Sequence, residues 1–448
     1  MKFVVIGGDA AGMSAASRAK RHNPDMEVTV FEKTGDVSYS ACGMPYNIAD
    51  PDRDMDILVV RRAEVFIEKN NINLLTGHTV TKIDPAARQV FGVDSSGREF
   101  CVDYDKLLIA TGAAPVIPEL PGFDLPGVMG LKSLEQGKQI KAYIETKKVA
   151  RAVIIGMGYI ALEMCEALEK RGMGVAMVKP GPVFLPWLTE ELSDVVLEEV
   201  TRKGVSVHAG HTVQAIEQLR DQTFRVVCED LELSADMVLV AVGVDPCSDI
   251  AKQAGLTLGP SGAIAVDRNL RTSDRNIYAA GDCADAFHIV TGDKCWIPLA
   301  LRANRAGWAV ADNVCGLTTT LLGVVGTAVF KVFSLEVARS GLTAKEATKA
   351  GFDPVENAVK TASRAHGQPD STPIHVNMVA DRKTGLLLGV QMTGREGVAH
   401  RINAIAVALQ NRMTVADFAQ ADLAYAPPFG PVWDPLLTAA NQVMKKIN

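Results

Sequence analysis

Cys42 is the residue of this chain whose surroundings best suit redox chemistry. It lies in the stretch SYSACGMPYN, Ser38 to Asn47, three residues before Pro45, a residue type favoured in the first turn of a helix. Partial positive charge at the start of such a helix would stabilise a thiolate, so the sequence predicts a lowered pKa for Cys42. A single thiol cannot close an internal disulfide, so its oxidised form would be a mixed disulfide with a small thiol or a sulfenic acid. The other seven cysteines are expected to be buried structural residues.

Length and composition limit the classes of protein to consider. At 448 residues the chain is too long for one hydrophobic core, and about two to four domains are expected. The net charge of −6 gives no reason to expect a nucleic-acid surface, and the eight cysteines show no spacing suited to zinc or to a disulfide framework. The first apolar run is too short for a signal peptide, and no run approaches the roughly 20 residues that span a bilayer. A cytoplasmic protein is therefore expected.

A strand, a glycine turn, a helix and a second strand follow one another at the start of the chain. The segment KFVVIGGDAAGMSAASRAKR predicts the first three, and EVTVFEK predicts the second strand, which ends at Glu32. Gly7 would permit the tight turn and Gly12 a close approach of helix and strand, with the helix N-terminus facing a pyrophosphate. Glu32 lies twenty residues beyond Gly12, where a carboxylate can accept hydrogen bonds from a ribose. Asp9 departs from the pattern, because it replaces the middle glycine and its charge should not point at a phosphate.

The same order of elements recurs about 150 residues later. In RAVIIGMGYIALEMCEALEKRGMGVAMVKPG, Gly156, Gly158 and Ala161 fill the three positions of the glycine fingerprint. Two complete dinucleotide-binding units in one chain imply FAD and a nicotinamide cofactor, with electron transfer between them. Lys179 stands where a carboxylate would favour NADH. It is either a ligand for the 2′-phosphate of NADPH or a solvated lysine, so the sequence leaves the choice between NADPH and NADH open.

Three further stretches carry a resemblance to a known family. YDKLLIATGAAP, TSDRNIYAAGDCADA and ADMVLVAVGVDP look like segments of the pyridine nucleotide–disulfide oxidoreductases that lie near FAD or at the domain junction. The resemblance implies an α/β fold with two Rossmann-like nucleotide-binding domains and an α+β C-terminal domain that makes a homodimer. It implies an NAD(P) domain, 116–244, inserted into an FAD domain, 1–115 and 245–325, ahead of the dimerisation domain, 326–448. Because the chain ends shortly after that domain, no C-terminal rhodanese domain is expected.

The resemblance also assigns residues to the two cofactors. For FAD it implies contacts from Gly7, Ala10, Ala11, Gly12, Glu32, Lys33, Ser38, Thr111, Gly112, Asp282, Pro298, Leu299 and Ala300. For the nicotinamide cofactor it implies contacts from Gly156, Gly158, Tyr159, Ile160, Glu163, Lys179 and Gly243. Glu163 shares a helix face with Glu166, and a salt-bridged surface remains an alternative for that pair, above all for Glu166.

The single cysteine decides the branch of the family that the chain resembles. Members similar to glutathione reductase have a second cysteine after four intervening residues, and here Asn47 occupies that position. The chain therefore resembles the single-cysteine group, which comprises coenzyme A disulfide reductases, NAD(P)H persulfide and polysulfide reductases, NADH oxidases and NADH peroxidases. The stretch LAYAPPFGPVWDP is also typical of that group and implies that Tyr425 reaches across a dimer interface towards Cys42 of the partner subunit. The alternative is that Tyr425 is a turn residue before two prolines.

The residues expected near the thiol limit the choice of electron acceptor. Oxidase and peroxidase members generally carry a histidine in the first glycine turn, where this chain has Ala10, so a small disulfide or persulfide is favoured over oxygen or peroxide. Against the simplest disulfide-reductase interpretation, Gly367 and Gln368 replace the aromatic pair of a HYYPG-like stretch typical of that branch. His366 beside them is a candidate proton donor or a solvated loop residue.

Coenzyme A as a bound substrate would need cations for its phosphates. The candidate substrate-binding residues are Arg18, Arg21, Arg62 and Ser38, with Lys20 and Arg61 beside them. The basic side chains equally fit an ordinary polar surface.

Two functions of other classes stay open. An NAD(P)H oxidase or peroxidase would work through a Cys42 sulfenic acid and consume NAD(P)H rapidly in air. A flavin electron carrier subunit of a larger complex would not need Cys42 at all.

Overall fold

The computed structural model describes residues 1–447, so Asn448, the last residue of the predicted dimerisation domain, lies outside the described residues. Up to residue 115 the elements are β1 (Lys2–Ile6), α1 (Ala10–His22), β2 (Glu27–Glu32), α2 (Met44–Ile48), α3 (Ala63–Asn70), β3 (Asn73–Thr76), β4 (His78–Asp84), β5 (Gln89–Asp94), β6 (Glu99–Asp103), β7 (Lys106–Ile109) and β8 (Ala113–Pro115). From there to residue 244 they are β9 (Val128–Gly130), α4 (Leu134–Lys147), β10 (Arg151–Ile155), α5 (Tyr159–Lys170), β11 (Gly174–Lys179), α6 (Glu190–Arg202), β12 (Ser206–Ala209), β13 (Val213–Gln218), β14 (Phe224–Cys228), β15 (Glu232–Ala235) and β16 (Met237–Val240).

The second half of the chain completes the list. It contains β17 (Val244–Pro246), α7 (Asp249–Gln253), β18 (Ile277–Ala279), β19 (Ala286–Phe287), β20 (Lys294–Cys295) and α8 (Ala300–Val314). The C-terminal elements are β21 (Ala328–Val332), β22 (Leu335–Gly341), α9 (Ala344–Lys349), β23 (Pro354–Ala362), β24 (Pro373–Asp381), β25 (Leu387–Gly394), α10 (Val398–Gln410), α11 (Val415–Ala419) and α12 (Pro435–Ile447). Short 3₁₀ turns lie at Ala41–Gly43, Met55–Leu58 and Pro260–Gly262.

The first parallel sheet has the strand order β18–β7–β1–β2–β3. Its central strand β1 places Val5 opposite Val30 of β2 and Leu108 of β7. Helix α1 packs against α8, and a Cβ at Gly307 of α8 would lie 2.3 Å from the carbonyl oxygen of Ala11, so glycine is needed for this approach. Because β18 pairs with β7, the sheet combines segments from before and after the second nucleotide-type unit.

The second parallel sheet has the order β12–β11–β10–β16–β9 and repeats the arrangement of the first. Strand β10 lies between β11 and β16, as β1 lies between β2 and β7. Both central strands are apolar after their first residue, because one face of each sheet packs on helices and the other on a three-stranded antiparallel sheet, β4–β5–β6 or β13–β14–β15. Each unit therefore presents the carboxyl ends of its strands, with a glycine turn, at one edge.

The C-terminal sheet is antiparallel, with the order β21–β22–β25–β24–β23. Helices α10 and α12 pack on it, and every residue of β25 is buried. This architecture confirms the predicted α/β fold with two Rossmann-like units and an α+β C-terminal region. Within residues 1–447, no helix is both long and apolar enough to cross a membrane.

Candidate active site

Glycine is required at two places in the turn after β1. Gly7 has a φ of +110°, and a Cβ there would lie 2.2 Å from the carbonyl oxygen of Ala110. A Cβ at Gly12 would lie 1.9 Å from the carbonyl oxygen of Gly7, so a larger residue would push α1 away from the turn. Ala10 and Ala11 are the first residues of α1, which therefore begins at the carboxyl end of β1.

The turn after β10 repeats that geometry. Gly156 has a φ of +115°, and a Cβ there would lie 2.2 Å from the carbonyl oxygen that follows β16. The backbone N–H groups of Gly7 and Gly156 each donate to the neighbouring strand, to Phe31 and Val178, both at 2.8 Å. A Cβ at Gly158 would meet no atom within 4 Å, so space is open at the N-terminus of α5. The open space at the N-terminus of α5 fits a pyrophosphate, because the positive end of a helix attracts negative charge.

Tyr159 and Ile160 begin α5 beside that space. The ring of Tyr159 packs on Trp187 and Phe330, with centroid distances of 5.0 and 5.2 Å. Gly243, between β16 and β17, has a φ of +141°, and an added Cβ would meet no atom within 4 Å. The structure thus places these predicted nicotinamide contacts at or after the carboxyl ends of strands in the second sheet, the edge where ligands bind in such folds.

Glu32 and Lys179 occupy matching positions at the ends of β2 and β11. The Glu32 carboxylate accepts hydrogen bonds from Gly8 N and Thr34 N, both at 2.8 Å, which holds it beside the first turn. Lys179 Nζ donates to Val183 O at 2.7 Å, and partial burial lowers its pKa. Glu32 therefore lies beside the first glycine turn, where the sequence predicts a ribose ligand, whereas this geometry of Lys179 does not select between NADPH and NADH.

Asp282 and Thr111 lie at the same edge of the first sheet as Gly7. Asp282 follows β18, and its carboxylate accepts a hydrogen bond from Lys132 Nζ at 2.7 Å. Thr111 follows β7, and its hydroxyl donates to Cys247 O at 2.6 Å, while Gly112 has a φ of +73°. Sequence reasoning missed Lys132, because no local signal marks a lysine whose partner is 150 residues away.

The segment Pro298–Ala300 leads into α8 next to Asp282. Leu299 is the N-cap of α8 and Ala300 its first residue. Arg302, in the first turn of α8, donates to the carbonyl oxygens of Gly281 and Ala284 at 3.3 and 3.0 Å. These bonds attach the start of α8 to the loop that carries Asp282.

The segment before Cys42 is held on the first glycine turn. Ser38 N donates to Gly8 O at 3.1 Å, and Tyr39 N donates to Asp9 Oδ1 at 3.1 Å. Ser38 has a φ of +50°, which is unusual for a residue with a side chain. Cys42 follows in the 3₁₀ turn Ala41–Gly43, directly before α2. The turn that fits the FAD pyrophosphate therefore also fixes the position of the thiol.

The predicted low pKa of Cys42 is wrong for the chain as the structure shows it. Cys42 is exposed, but desolvation by the surrounding protein raises the pKa of its thiol, and the Glu163 carboxylate raises it further. Lys132 acts in the opposite direction. Pro45 is the second residue of α2, whose five residues supply a weaker field than a long helix would.

Tyr46 connects the thiol-bearing helix to the second unit. Its hydroxyl donates to Glu163 Oε1 at 3.1 Å, which joins α2 to α5. Burial raises the pKa of Glu163 and of Tyr46. The sequence pattern did not identify Tyr46 as a site residue, since a tyrosine in a short apolar helix can equally well be a packing residue.

Glu166 makes salt bridges within the protein, which was the alternative to a cofactor contact for this residue. It is 3% exposed, and its carboxylate accepts hydrogen bonds from Phe333 N at 2.7 Å and from the side chain of Lys331. Lys170 completes the cluster at 2.7 Å. These contacts attach α5 to β21 of the C-terminal region.

The expectation of seven buried structural cysteines is partly wrong. Cys165, Cys228 and Cys283 are buried, whereas three others are partly exposed and Cys101 is exposed on β6. Cys101 lies among alternating exposed residues of an antiparallel strand, a pattern that was visible in the sequence.

Tyr425 lies in the segment between α11 and α12 and is 48% exposed. Phe429, Val432 and Trp433 in the same segment are exposed to 79%, 65% and 62%. Such a run of exposed apolar side chains is typical of a surface that another protein covers. His366 is exposed in the loop between β23 and β24.

The basic cluster near α1 separates into two groups. Arg18 pairs with Asp312 at 2.5 Å and lies 5.3 Å from the ring of Trp308, so it already has partners within the protein. Lys20 is buried and donates to backbone carbonyl oxygens, which excludes it as a phosphate ligand. Arg21, Arg61 and Arg62 are exposed and remain the accessible cations.

The chain belongs to the pyridine nucleotide-disulphide oxidoreductase family. The family's main domain matches residues 1–307, and its dimerisation domain matches residues 327–435. The protein is therefore an oxidoreductase of the class that uses FAD and NAD(P)H, as the two glycine turns predicted.

Individual relatives are similar over almost the whole chain. A CoA-dependent NAD(P)H sulfur oxidoreductase of Pyrococcus furiosus is 39% identical over 441 residues, 98% of either protein. An NADH oxidase of Methanocaldococcus jannaschii is 33% identical over 449 residues, covering 100% of each chain. The solved structure of an NAD-dependent persulfide reductase from A. fulgidus is 37% identical with a TM-score of 0.96, covering 100% of this chain and 83% of that one.

Proposed function

We propose that the protein transfers two electrons from NAD(P)H, through FAD, to a sulfur–sulfur bond formed between Cys42 and a small thiol. The acceptor would be coenzyme A disulfide, coenzyme A persulfide or a polysulfide. The observation that carries this proposal is the single exposed thiol at the first glycine turn, with a buried Asn47 at the position of a second cysteine. The names of relatives such as the sulfur oxidoreductase of Pyrococcus furiosus support the same class of acceptor.

The reaction at Cys42 would first exchange one sulfur–sulfur bond for another and then reduce the bond that is formed. The Cys42 thiolate attacks RS–SR, forms the mixed disulfide Cys42–S–SR and releases RS⁻, which takes up a proton. Bound FAD would supply the two electrons of the NAD(P)H hydride at this position. The mixed disulfide then accepts two electrons and one proton, which regenerates the Cys42 thiolate and releases RSH. With a persulfide RS–SH as acceptor, the exchange step releases HS⁻ in place of RS⁻, so the products are sulfide and the thiol RSH.

The groups around Cys42 act on its thiol in opposite directions. In the protein alone, desolvation and the Glu163 carboxylate raise the pKa of the thiol, so the neutral form dominates at pH 7. Lys132 is the nearby cation that favours the thiolate, and its Nζ is held by Asp282.

The cofactor contacts proposed are those set out from the sequence, since they lie at the two glycine turns and the adjoining strand ends. FAD would be held by Gly7, Ala10, Ala11, Gly12, Glu32, Lys33, Ser38, Thr111, Gly112, Asp282, Pro298, Leu299 and Ala300. The nicotinamide cofactor would be held by Gly156, Gly158, Tyr159, Ile160, Glu163, Lys179 and Gly243. The domain boundaries at 115, 244 and 325 are proposed with them, together with a cytoplasmic location, which suits a catalytic thiol in the reduced state.

A homodimer would complete the site. The exposed apolar segment around Tyr425 supports coverage by a second copy, and the matched dimerisation domain includes this segment. Tyr425 would then approach Cys42 of the partner subunit as a phenol donor to the leaving sulfur. For coenzyme A phosphates, the exposed Arg21 and Arg62 are the better candidates, beside Ser38, while Arg18 would have to share its guanidinium with Asp312.

The test is anaerobic oxidation of NADH and of NADPH with coenzyme A disulfide, coenzyme A persulfide or no acceptor. Wild type is compared with Cys42→Ser, and with Cys101→Ser as a matched control in which the other exposed thiol is removed. We expect turnover with a sulfur acceptor in wild type and in Cys101→Ser, and none in Cys42→Ser. Absence of turnover with every sulfur acceptor in wild type would refute the proposal.

The second candidate is an NADH oxidase, because a relative of that name is 33% identical over the full chain. Ala10 begins α1 at the first glycine turn, where oxidase and peroxidase members generally carry a histidine, and this speaks against oxygen or peroxide chemistry. Aerobic NADH consumption without a sulfur acceptor, lost in Cys42→Ser, would favour the oxidase. A flavin electron carrier would be favoured if Cys42→Ser still consumed NADH with artificial acceptors and no sulfur compound served as an acceptor.

A further inference from the structure

Asp9 occupies the place that the second glycine turn keeps open. The two turns match closely, since Gly7 and Gly156 have φ values of +110° and +115° and make equivalent hydrogen bonds. Asp9 is the N-cap of α1, with φ −108° and ψ −148°, and Gly158 is the N-cap of α5, with φ −84° and ψ −171°. A side chain at this position needs no unusual backbone. The two turns therefore differ at this position. The space beside Gly158 is open, whereas a carboxyl group fills the equivalent space at Asp9.

Asp9 is surrounded by more negative than positive charge. Its Oδ1 accepts a hydrogen bond from Tyr39 N at 3.1 Å. Glu32 at the end of β2 and Asp282 after β18 act on it as negative charges, and Lys132 after β9 acts as a positive one. With Asp9 ionised, these four groups carry three negative charges against one positive charge, and Lys132 is already bonded to Asp282. The phenol of Tyr39 stays neutral, because burial raises its pKa well above the usual range.

These surroundings favour the neutral form of Asp9. Burial raises the pKa of Asp9 to about 6, the N–H group of Tyr39 and Lys132 oppose this rise, and Glu32 and Asp282 add to it. A pyrophosphate at the N-terminus of α1 would bring two further negative charges. A carboxylate facing them would be repelled, whereas a protonated carboxyl keeps its acceptor for Tyr39 N and offers an O–H donor to an anionic oxygen.

We propose that Asp9 takes up a proton when FAD binds, so that the affinity for FAD falls as the pH rises. Below about pH 6 the carboxyl group is already protonated in the free protein, so the affinity for FAD should not change with pH through Asp9. Above that pH, binding requires uptake of one proton, so the Kd for FAD should rise about tenfold for each pH unit. This inference concerns FAD alone and does not depend on which sulfur compound is the acceptor.

The experiment compares wild type with Asp9→Asn and Asp9→Gly. Asparagine retains an oxygen for Tyr39 N and removes the charge, whereas glycine removes both and matches Gly158. The holoenzyme is diluted at pH 5.5, 6.5, 7.5 and 8.5, and the Kd is obtained from the fluorescence of released flavin. We expect the wild-type Kd to increase about a hundredfold between pH 6.5 and 8.5, with little change in Asp9→Asn. The Asn variant should therefore hold FAD the more tightly at pH 8.5.

A second measurement on the wild type alone keeps the proposal testable if a variant fails to fold. FAD is added back to flavin-depleted protein in weakly buffered solution at pH 8, and proton uptake is followed with an indicator dye. About one proton per FAD is expected. Equal pH slopes in wild type and Asp9→Asn, or no proton uptake by wild type, would overturn the proposal. Neither result would bear on the sulfur acceptor, which is tested separately with Cys42→Ser.

Discussion

Glu199 joins helix α6 to the C-terminal sheet region, and its removal gives a prediction with a calculable size. The residue is 3% exposed, and its carboxylate binds Arg202 at 2.8 Å, Arg395 at 3.0 Å and the Ser334 hydroxyl at 2.7 Å. These hydrogen bonds and charges outweigh the cost of burial and lower the pKa of Glu199 from 4.5 to about 2. Because α6 belongs to the second nucleotide unit, the contact holds that unit in place beside the C-terminal region.

The pKa change sets the magnitude. The fall of the Glu199 pKa from 4.5 to about 2 corresponds to about 3 kcal/mol of stability at neutral pH. Since the folded-state pKa is depressed, this stabilisation is complete above the unfolded-state value of 4.5 and is lost as the pH falls from 4.5 towards 2. Glu199→Gln, which resembles the protonated carboxyl group, should therefore reduce the free energy of unfolding by about 3 kcal/mol at pH 6.5.

Urea denaturation in excess FAD at pH 6.5 and pH 3.5 tests both size and sign. The difference between wild type and Glu199→Gln should become smaller by about 1 kcal/mol at pH 3.5, because the wild type loses part of the stabilisation there. Glu198→Gln, at the exposed neighbouring position, is the matched control and should change little at either pH. A difference that is the same at both pH values would refute the assignment to the ionised carboxylate.

Three further predictions follow from the site. In Glu163→Gln, loss of the negative charge should lower the pKa of Cys42. The rate of Cys42 alkylation by iodoacetamide at pH 7.5, corrected for the background in Cys42→Ser, should rise about threefold. An unchanged pH profile of alkylation would contradict this. Lys179→Glu should shift the preference towards NADH, since a carboxylate favours an unphosphorylated ribose. The kcat/KM for NADH, divided by the kcat/KM for NADPH, should rise about tenfold. An unchanged ratio would show that Lys179 is only solvated. Trp433→Ser should weaken self-association in sedimentation experiments, because a 62% exposed indole is removed, whereas the same change at Trp308, an exposed ring beside Arg18 and outside this segment, should not.

The glycine turns and their strand ends were predictable because their causes are local. Gly7 and Gly156 are fixed by positive φ values and by a carbonyl oxygen 2.2 Å from any added Cβ, and these constraints leave a short sequence pattern. Glu32 follows from the pattern too, as the last residue of the second strand. The strand pairing within the second unit also follows from the repeated chain order, since it repeats the pairing of the first.

The charges at the site were not predictable, because each depends on a partner far away in the sequence. Lys132 meets Asp282 across 150 residues, and Arg18 meets Asp312 across 294. The pKa of Cys42 was predicted in the wrong direction for the same reason. The local helix start was visible, but the desolvation and the Glu163 carboxylate come from the folded surroundings.

Asn47 explains how the chain works with one active-site thiol. Asn47 is 1% exposed and its side-chain amide donates to Asp54 O at 2.8 Å, while its backbone carbonyl oxygen accepts from the buried Lys141, which attaches α2 to α4. Position 47 therefore stabilises the helix that follows Cys42, and a thiol there would be enclosed by protein, away from solvent. In the proposed function, the exposed Cys42 forms its sulfur–sulfur bond with an incoming molecule. Oxidising equivalents would then reside in a bond to substrate, so the chemistry of the acceptor would be set by what the surface around Cys42 and Tyr46, with the residues a second copy would add, admits.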